Sequence, residues 1–513
     1  MITAPEGYNS YGDARKIEMG IRFGITSVDA LDTIFVHSSP RYPPSKIEDV
    51  TDGITEGPED YATLEHNAWI LSANKKIYPN EPDIEAGFIS QTISKDNKMF
   101  DSSPRLVFEF TEPQDSYGIT VYFDNKVPYS WPRKLTVKFV DASDTALKTA
   151  EATPTEHKCW IDAAVKGYSK IIIEVTETLI PHRRARIMEV IFGMVAEYNN
   201  DTIKSAEELQ ECDIYAERLP ISTLTATIDN SEGLYDLINP SGAYEFLQNG
   251  QYAEYWYSID GVKLSRGKKY FVKAETDSDG LTATIEFDDE AYFLDTVQYN
   301  DGTSGTWTLE TAIESILEKS PVPLSVKYDS DSLKARNIRK CIPQETNLRD
   351  ALIMCAQAAM CSAYVNTQST LYIFDPSQRP TTAAESLTRD RIASEPTISV
   401  GDKYNTIVVK RSDSYAENED ETYTLSEAEK DEAELTKEVN NPLISDLKAW
   451  AAWGLSLAKR RVSLKTTYRG NPQVEVGDEV KIYDKFGANQ NGTVETHKLS
   501  FDGGLAAAIE VRI

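Results

Sequence analysis

The sequence is poor in the residues that carry most recognisable chemistry. Five histidines (His37, His66, His157, His182 and His497) are scattered over 513 residues, and none pairs with another at a metal-ligand spacing. The five cysteines, Cys159, Cys212, Cys341, Cys355 and Cys361, are odd in number and form no Cys-x-x-Cys pair. That argues against a zinc site and a disulfide framework. Cys355 and Cys361 lie in an apolar helical stretch, where a free thiol behaves as a small hydrophobe. The sequence has no His-Glu-x-x-His, Gly-x-Ser-x-Gly, Walker loop or Gly-x-Gly-x-x-Gly, so the usual marks of catalysis and of phosphate binding are missing. No catalytic residue, metal or cofactor is expected. Basic residues are scarce relative to acids, 53 against 82, and the formal charge of -29 argues against nucleic-acid binding, which needs a basic patch. No window approaches the ~18–20 apolar residues of a membrane span, so stable membrane insertion is not expected. Met1 to Tyr11 lacks the basic start and apolar stretch of a secretory signal, which points to folding in a cytoplasm.

What is present is length, tyrosine and alternation. A chain of 513 residues exceeds the roughly 250–300 residues at which single cores stop growing, and three or four domains are expected. Residues 1–45 read as strands, with Arg15 to Phe23 alternating charged and apolar groups. Pro40, Pro43 and Pro44 break the pattern. A second unit, 46–193, carries strands at Arg105 to Phe110, Gly118 to Phe123, Lys134 to Phe139, Lys170 to Val175 and Ala185 to Phe192, at the spacing of a β-sandwich. A third, 194–305, has strands at Leu224 to Ile228, Tyr252 to Ile259 and Leu281 to Phe287, with a hairpin signal at Asp260-Gly261.

From Thr306 the period becomes helical. Thr308 and Asn347 are candidate caps, and residues 306–395 read as a small α/β domain. The last unit, 396–513, contains a very acidic stretch, 412–440, expected as an exposed loop or frayed hairpin. A helix over 445–461, capped by Ser445, carries Lys459, Arg460 and Arg461 in its last turn, opposite the helix dipole. The chain then ends in strands Glu479 to Tyr483, Gly492 to Leu499 and Leu505 to Arg512.

Carboxylate pairs select no site. Asp277-Ser278-Asp279-Gly280 resembles the start of a calcium loop but lacks the downstream bidentate glutamate, and it reads as a hairpin turn. Aromatic residues in the second unit are more suggestive. Trp69, and Tyr129 with Trp131 in Tyr129-Ser130-Trp131-Pro132, fall in predicted loops, and exposed rings there can stack on sugar faces. These three are the carbohydrate-binding candidates; the plainer reading is that their rings plug the ends of the sandwich.

A run of motifs near the end is more specific. Asn441-Pro442-Leu443-Ile444 precedes an amphipathic helix, followed by Arg469-Gly470-Asn471-Pro472, Val476-Gly477-Asp478-Glu479-Val480 and Phe501-Asp502-Gly503-Gly504-Leu505. This order resembles the C-terminal β domain of tail hub proteins from phages and prophages of Gram-positive bacteria. Ile191-Phe192-Gly193, Leu224 to Ile228, Asn239-Pro240 and Phe246-Leu247 are similar to an earlier β domain of that family, and Asn347 to Ala359 to its small α/β unit. The likeness covers most of 189–513. Asn67-Ala68-Trp69-Ile70-Leu71, Phe108-Glu109-Phe110, Gly118-Ile119 and Lys134-Leu135 resemble a discoidin-like, galactose-binding jelly roll, with Leu71-Ser72-Ala73 where that class has Leu-Asp-Gly.

The resemblance implies a mostly β, multidomain chain: two hub-type β-barrel domains, a jelly-roll β-sandwich inserted at 46–193 into the first of them, and a small α/β domain. It implies a homotrimeric hub of a tail tip or baseplate, located in the virion tail. Its β domains would form a ring that joins the tail tube to the tip. Expected partners are a distal tail or tube ring, a tape measure and a tip or fibre protein, with a host surface glycan possible at the jelly roll. Since the sequence stops at Ile513 after a terminal strand, no appended wall hydrolase is expected. Two alternative functions are a carbohydrate-binding adhesin acting through 46–193, and a glycoside hydrolase, which the missing βα series opposes.

Overall fold

The computed structural model describes every residue except 13–14, 27–33, 42, 58–64, 66–85, 128, 237–238, 240–241, 301–303, 379–382, 413–420, 430–434 and 484–488. The chain is mostly β. It divides into two compact units: Met1–Ile21, Tyr198–Glu232 and Tyr252–Ile513 form one, and Arg22–Glu197 with Gly233–Gln251 the other.

The smaller unit is built on a six-stranded sheet. Its strands run in the order Ile34–Ser39, Arg105–Tyr122, Lys158–Thr178, Pro132–Val140 and Ala146–Ala152, with Glu189–Ile191 also pairing with Arg105–Tyr122. The sequence suggested separate strands at 105–110 and 118–123. They are one strand, carried through the intervening polar residues by register shifts between Glu109 and Gly118. Such bulges bend a strand without ending its pairing. Gly118 is required where the strand resumes: at φ 149° an added Cβ would lie 2.3 Å from the Ile161 carbonyl oxygen. Alternation then turns Leu106, Phe108, Leu135, Val137, Phe139, Ile171 and Ile173 into one core. Phe108 and Phe110 each meet the Phe192 ring edge-on at 5.2 Å.

In the larger unit, the two expected β domains are hydrogen-bonded into one continuous sheet. The first module runs Tyr252–Ile259, Val262–Thr276, Thr282–Asp288, Thr223–Asp229, Ile203–Glu211. The second continues with Asn489–Phe501, Leu505–Arg512, Val462–Tyr468 and Thr397–Val400. Asp260 and Gly261 have φ of 52° and 83°, the double positive φ that a tight two-residue hairpin demands. Asp277 to Gly280 is a hairpin turn, closed by Asp277 N–H donating to the Thr282 carbonyl.

The α/β part packs helices Leu309–Leu317 and Leu348–Ala358 beside a sheet in which Ser325–Tyr328 runs parallel to Thr370–Phe374. Thr308 and Asn347 cap these helices, accepting from the Thr311 and Asp350 N–H groups. Of the acidic stretch, 413–420 and 430–434 lie outside the described residues. Residues 421–426 and 436–440 are strands flanking Thr406–Arg411. Tyr423 and Leu425 alternate inward against the core beneath, so the period of two outweighs the acid count. The cap of the last helix, Leu447–Ala458, is Asp446, whose carboxylate accepts from Lys448 N–H and Ala449 N–H at 3.0 Å each. Ser445 instead donates to the Asn337 carbonyl at 2.8 Å. Arg460 lies beyond the helix and is buried, donating to Thr493 Oγ1 at 2.7 Å and to the Arg512 carbonyl at 3.0 Å. It ties down the terminal strands rather than facing the helix dipole.

Candidate assembly surface

The junction between the two β modules is a ladder from Ala206 opposite Phe501 to Glu211 opposite Thr496. Lys498 on one side meets Glu207 on the other at 2.5 Å. Beneath this ladder lies a buried polar clamp. Arg266, with no exposed surface, donates from Nε to Glu208 Oε2 at 3.2 Å and from Nη2 to Glu208 Oε1 at 2.5 Å. Its third nitrogen donates to the Pro472 carbonyl, so one guanidinium holds two strands of the first module and the Asn471-Pro472 turn of the second. Burial opposes the Arg266 charge, and Glu208 overrides it, holding the guanidinium above its usual pKa. Burial first, then Glu208, raises Tyr255 and Tyr257, which stay neutral phenols. His497 is pushed down to about 3 by burial and by Arg266, so its ring is neutral where it meets Tyr468 Oη at 2.8 Å.

Sequence reasoning missed this clamp, although its signal was present. Arg266 shares the inward phase of Leu264, and Glu208 that of Ala206, in strands whose inward residues also include Phe271 and Ile203. A charge in the core phase of each of two strands marks a buried pair. The Val476-Gly477-Asp478 turn has an equally local reason for its glycine. Gly477 has φ 78°, and an added Cβ would lie 2.6 Å from the Tyr364 ring.

At the outer end of the same sheet, Thr397–Val400 pairs, among the described residues, on one side only, with Val462 to Lys465. All four residues are exposed, Ile398 by 58% and Val400 by 59%. The strand carries no charge and no bulge, and Pro396 stands only before its start. Natural edges are usually guarded by charges, bulges or prolines within the strand.

Of the sugar-binding candidates, Trp69 lies outside the described residues. Tyr129 stands in the loop between Arg105–Tyr122 and Pro132–Val140, 54% exposed, at φ 57°. Trp131 shares that loop, but its ring packs against the core of the six-stranded sheet. An Asx turn shapes the loop, with Asp124 Oδ1 accepting from Lys126 N–H at 2.8 Å and Val127 N–H at 3.1 Å. No cluster of metal-ligating side chains occurs among the described residues, and no helix among them is long and apolar enough to cross a membrane.

No family model and no curated protein matches the sequence. Among solved structures, this chain is similar to a tail protein from Neisseria meningitidis, over 62% of this chain and 94% of that one, at 13% identity and a TM-score of 0.46. It is also similar to a 43 kDa tail protein of prophage MuSo2 from Shewanella oneidensis, over 62% and 95%, at 15% identity and a TM-score of 0.43. A prophage tail protein from Listeria monocytogenes aligns over 61% and 91%, at 13% identity and a TM-score of 0.39.

Proposed function

We propose that this chain is a non-enzymatic structural subunit of a phage or phage-like tail, the hub of a tail tip or baseplate. In this reading three copies form a ring that joins the tail tube to the tip, in contact with a tube or distal tail ring, a tape measure and a tip or fibre protein. The observation that carries it is the edge-to-edge fusion of two β modules in one chain, through the Ile203–Glu211 and Asn489–Phe501 ladder. Three copies then present six similar modules, which suits a three-fold tip beneath a six-fold tube. The motif order in 441–505 supports the same reading: its turns lie where the second module's strands begin and end. Residues 46–193 stand as a jelly-roll insertion. Light scattering on the purified chain and negative-stain imaging test the proposal. Three-fold rings are the expected result; a monomer at every accessible concentration would overturn it.

The exposed ring of Tyr129 favours a second reading, a glycan contact at that loop. Glycan-array binding that is lost in Tyr129→Ala would support it, and absence of binding by the unaltered chain would end it.

A further inference from the structure

We infer that a cavity in the larger unit, between the Val476-Gly477-Asp478 turn and the Thr370–Phe374 strand, is a binding site for an organic ammonium ion, either a free alkylamine or the side chain of a lysine. This site does not depend on the ring proposed above.

The cavity holds about 380 Å³, within the range of small-molecule sites. One wall is aromatic. Tyr364 stands opposite Tyr372 in the paired strands Ser362–Val365 and Thr370–Phe374. Its ring lies 5.4 Å from Tyr372 and 6.0 Å from Phe374. The facing turn supplies Glu475 and Asp478. Two buried polar groups on this lining are incompletely bonded. Tyr364 is 5% exposed, and its hydroxyl has no hydrogen-bond partner among the described residues. Glu475 is also 5% exposed. Its Oε1 accepts from Thr367 N–H at 3.1 Å and from Thr367 Oγ1 at 2.8 Å. Its Oε2 has no hydrogen-bond partner, and the carboxylate makes no ion pair, among the described residues. The cations at hand are committed elsewhere. The Met1 ammonium pairs with Asp478, and Lys327 Nζ stands 5.6 Å from the centre of the Tyr372 ring. Arg266 feels the Glu475 charge, but its donors go to Glu208 and the Pro472 carbonyl. Burial first, then Glu475 and Asp478, holds the Tyr364 phenol well above its ordinary pKa, so the hydroxyl is neutral and sits in a negative field. An organic ammonium matches each feature. Its charge offsets that of Glu475, its N–H groups donate to Glu475 and to Tyr364 Oη, and its methylenes lie against rings whose faces attract cations. A bare divalent ion does not match, because the described residues bring no three metal-ligating side chains together.

The test titrates the full chain by calorimetry with 1,5-diaminopentane, and with 1,5-pentanediol, which has the same length and no charge. The diamine should bind and the diol should not. Glu475→Gln keeps an acceptor for Thr367 and removes the charge; it should weaken diamine binding about tenfold or more, as expected for a lost charge-assisted hydrogen bond. Tyr364→Phe keeps the ring and should weaken binding severalfold. Asp279→Asn, at an exposed acid in a hairpin turn outside the cavity, removes the same charge from the chain and should leave binding unchanged. Should Glu475→Gln fail to fold, Tyr364→Phe and the diol comparison decide. A capped Gly-Lys-Gly peptide separates the two sources: competition with the diamine identifies a lysine side chain as the occupant, and its absence a free amine. Failure of the diamine to bind, equal binding of the diol, or equal loss in Glu475→Gln and Asp279→Asn would overturn the assignment. So would displacement of the diamine by calcium.

Discussion

Replacing Arg266 by methionine should cost more than any substitution on the surface of this sheet. The change leaves Glu208, 1% exposed, without its counter-ion and the Pro472 carbonyl without its donor. Breaking a buried pair from one side costs about 3–5 kcal/mol, because the remaining charge stays in the core. Taking about 4 kcal/mol, opening of the sheet becomes roughly a thousand times easier, at about 1.4 kcal/mol per factor of ten. Hydrogen exchange of the amides in Ile203–Glu211 and Val262–Thr276 reads this directly, since local opening is measured without requiring the whole chain to unfold in one step. Adding Glu208→Leu removes the stranded charge. The double variant should then cost only about 1–3 kcal/mol, the price of the orphaned Pro472 carbonyl. A single variant that exchanges like the unaltered chain, or a double variant whose cost equals the sum of the two singles, would refute this account of the clamp.

Other expectations follow from single contacts. Glu189 in the smaller unit is pushed up to about 9 by burial, with Asp52 adding to the rise, while Gly53 N–H donates to its carboxyl at 3.1 Å and opposes it. With the folded value above the unfolded one, this group's contribution is lost as pH rises from about 4.5 to about 9, so Glu189→Gln should raise the melting temperature at pH 9 more than at pH 5. Gly477→Ala, strained at φ 78° and colliding with the Tyr364 ring, should lower stability by about 1–3 kcal/mol in denaturant unfolding, with recovery in a Tyr364→Ala background limited by the cavity that this second change leaves. Asp446→Ala should cost about 1 kcal/mol through the lost cap, and Ser445→Ala less, measured by thermal melting.

How much of this was legible in the sequence depends on how local each feature is. Leu505 to Arg512 and Glu479 to Tyr483 are strands with the ends that alternation gave them, because side-chain period is a property of neighbours in sequence. The Thr308 and Asn347 caps were legible for the same reason: a cap bonds an N–H three residues away. Ser445 and Asp446 are adjacent and both able to cap, so the choice fell to the Asn337 carbonyl, which lies far off in sequence and claims Ser445.

The seam between the modules belongs to the other extreme. Ala206 opposite Phe501 is set by which edges are left open after each module has paired internally, and nothing in either strand's own pattern names its neighbour. What sequence does record is the consequence. Glu208, in the seam strand Ile203–Glu211, and Arg266, in Val262–Thr276, each hold a charge at a buried position, and each charge is tolerable only when the other's geometry is complete.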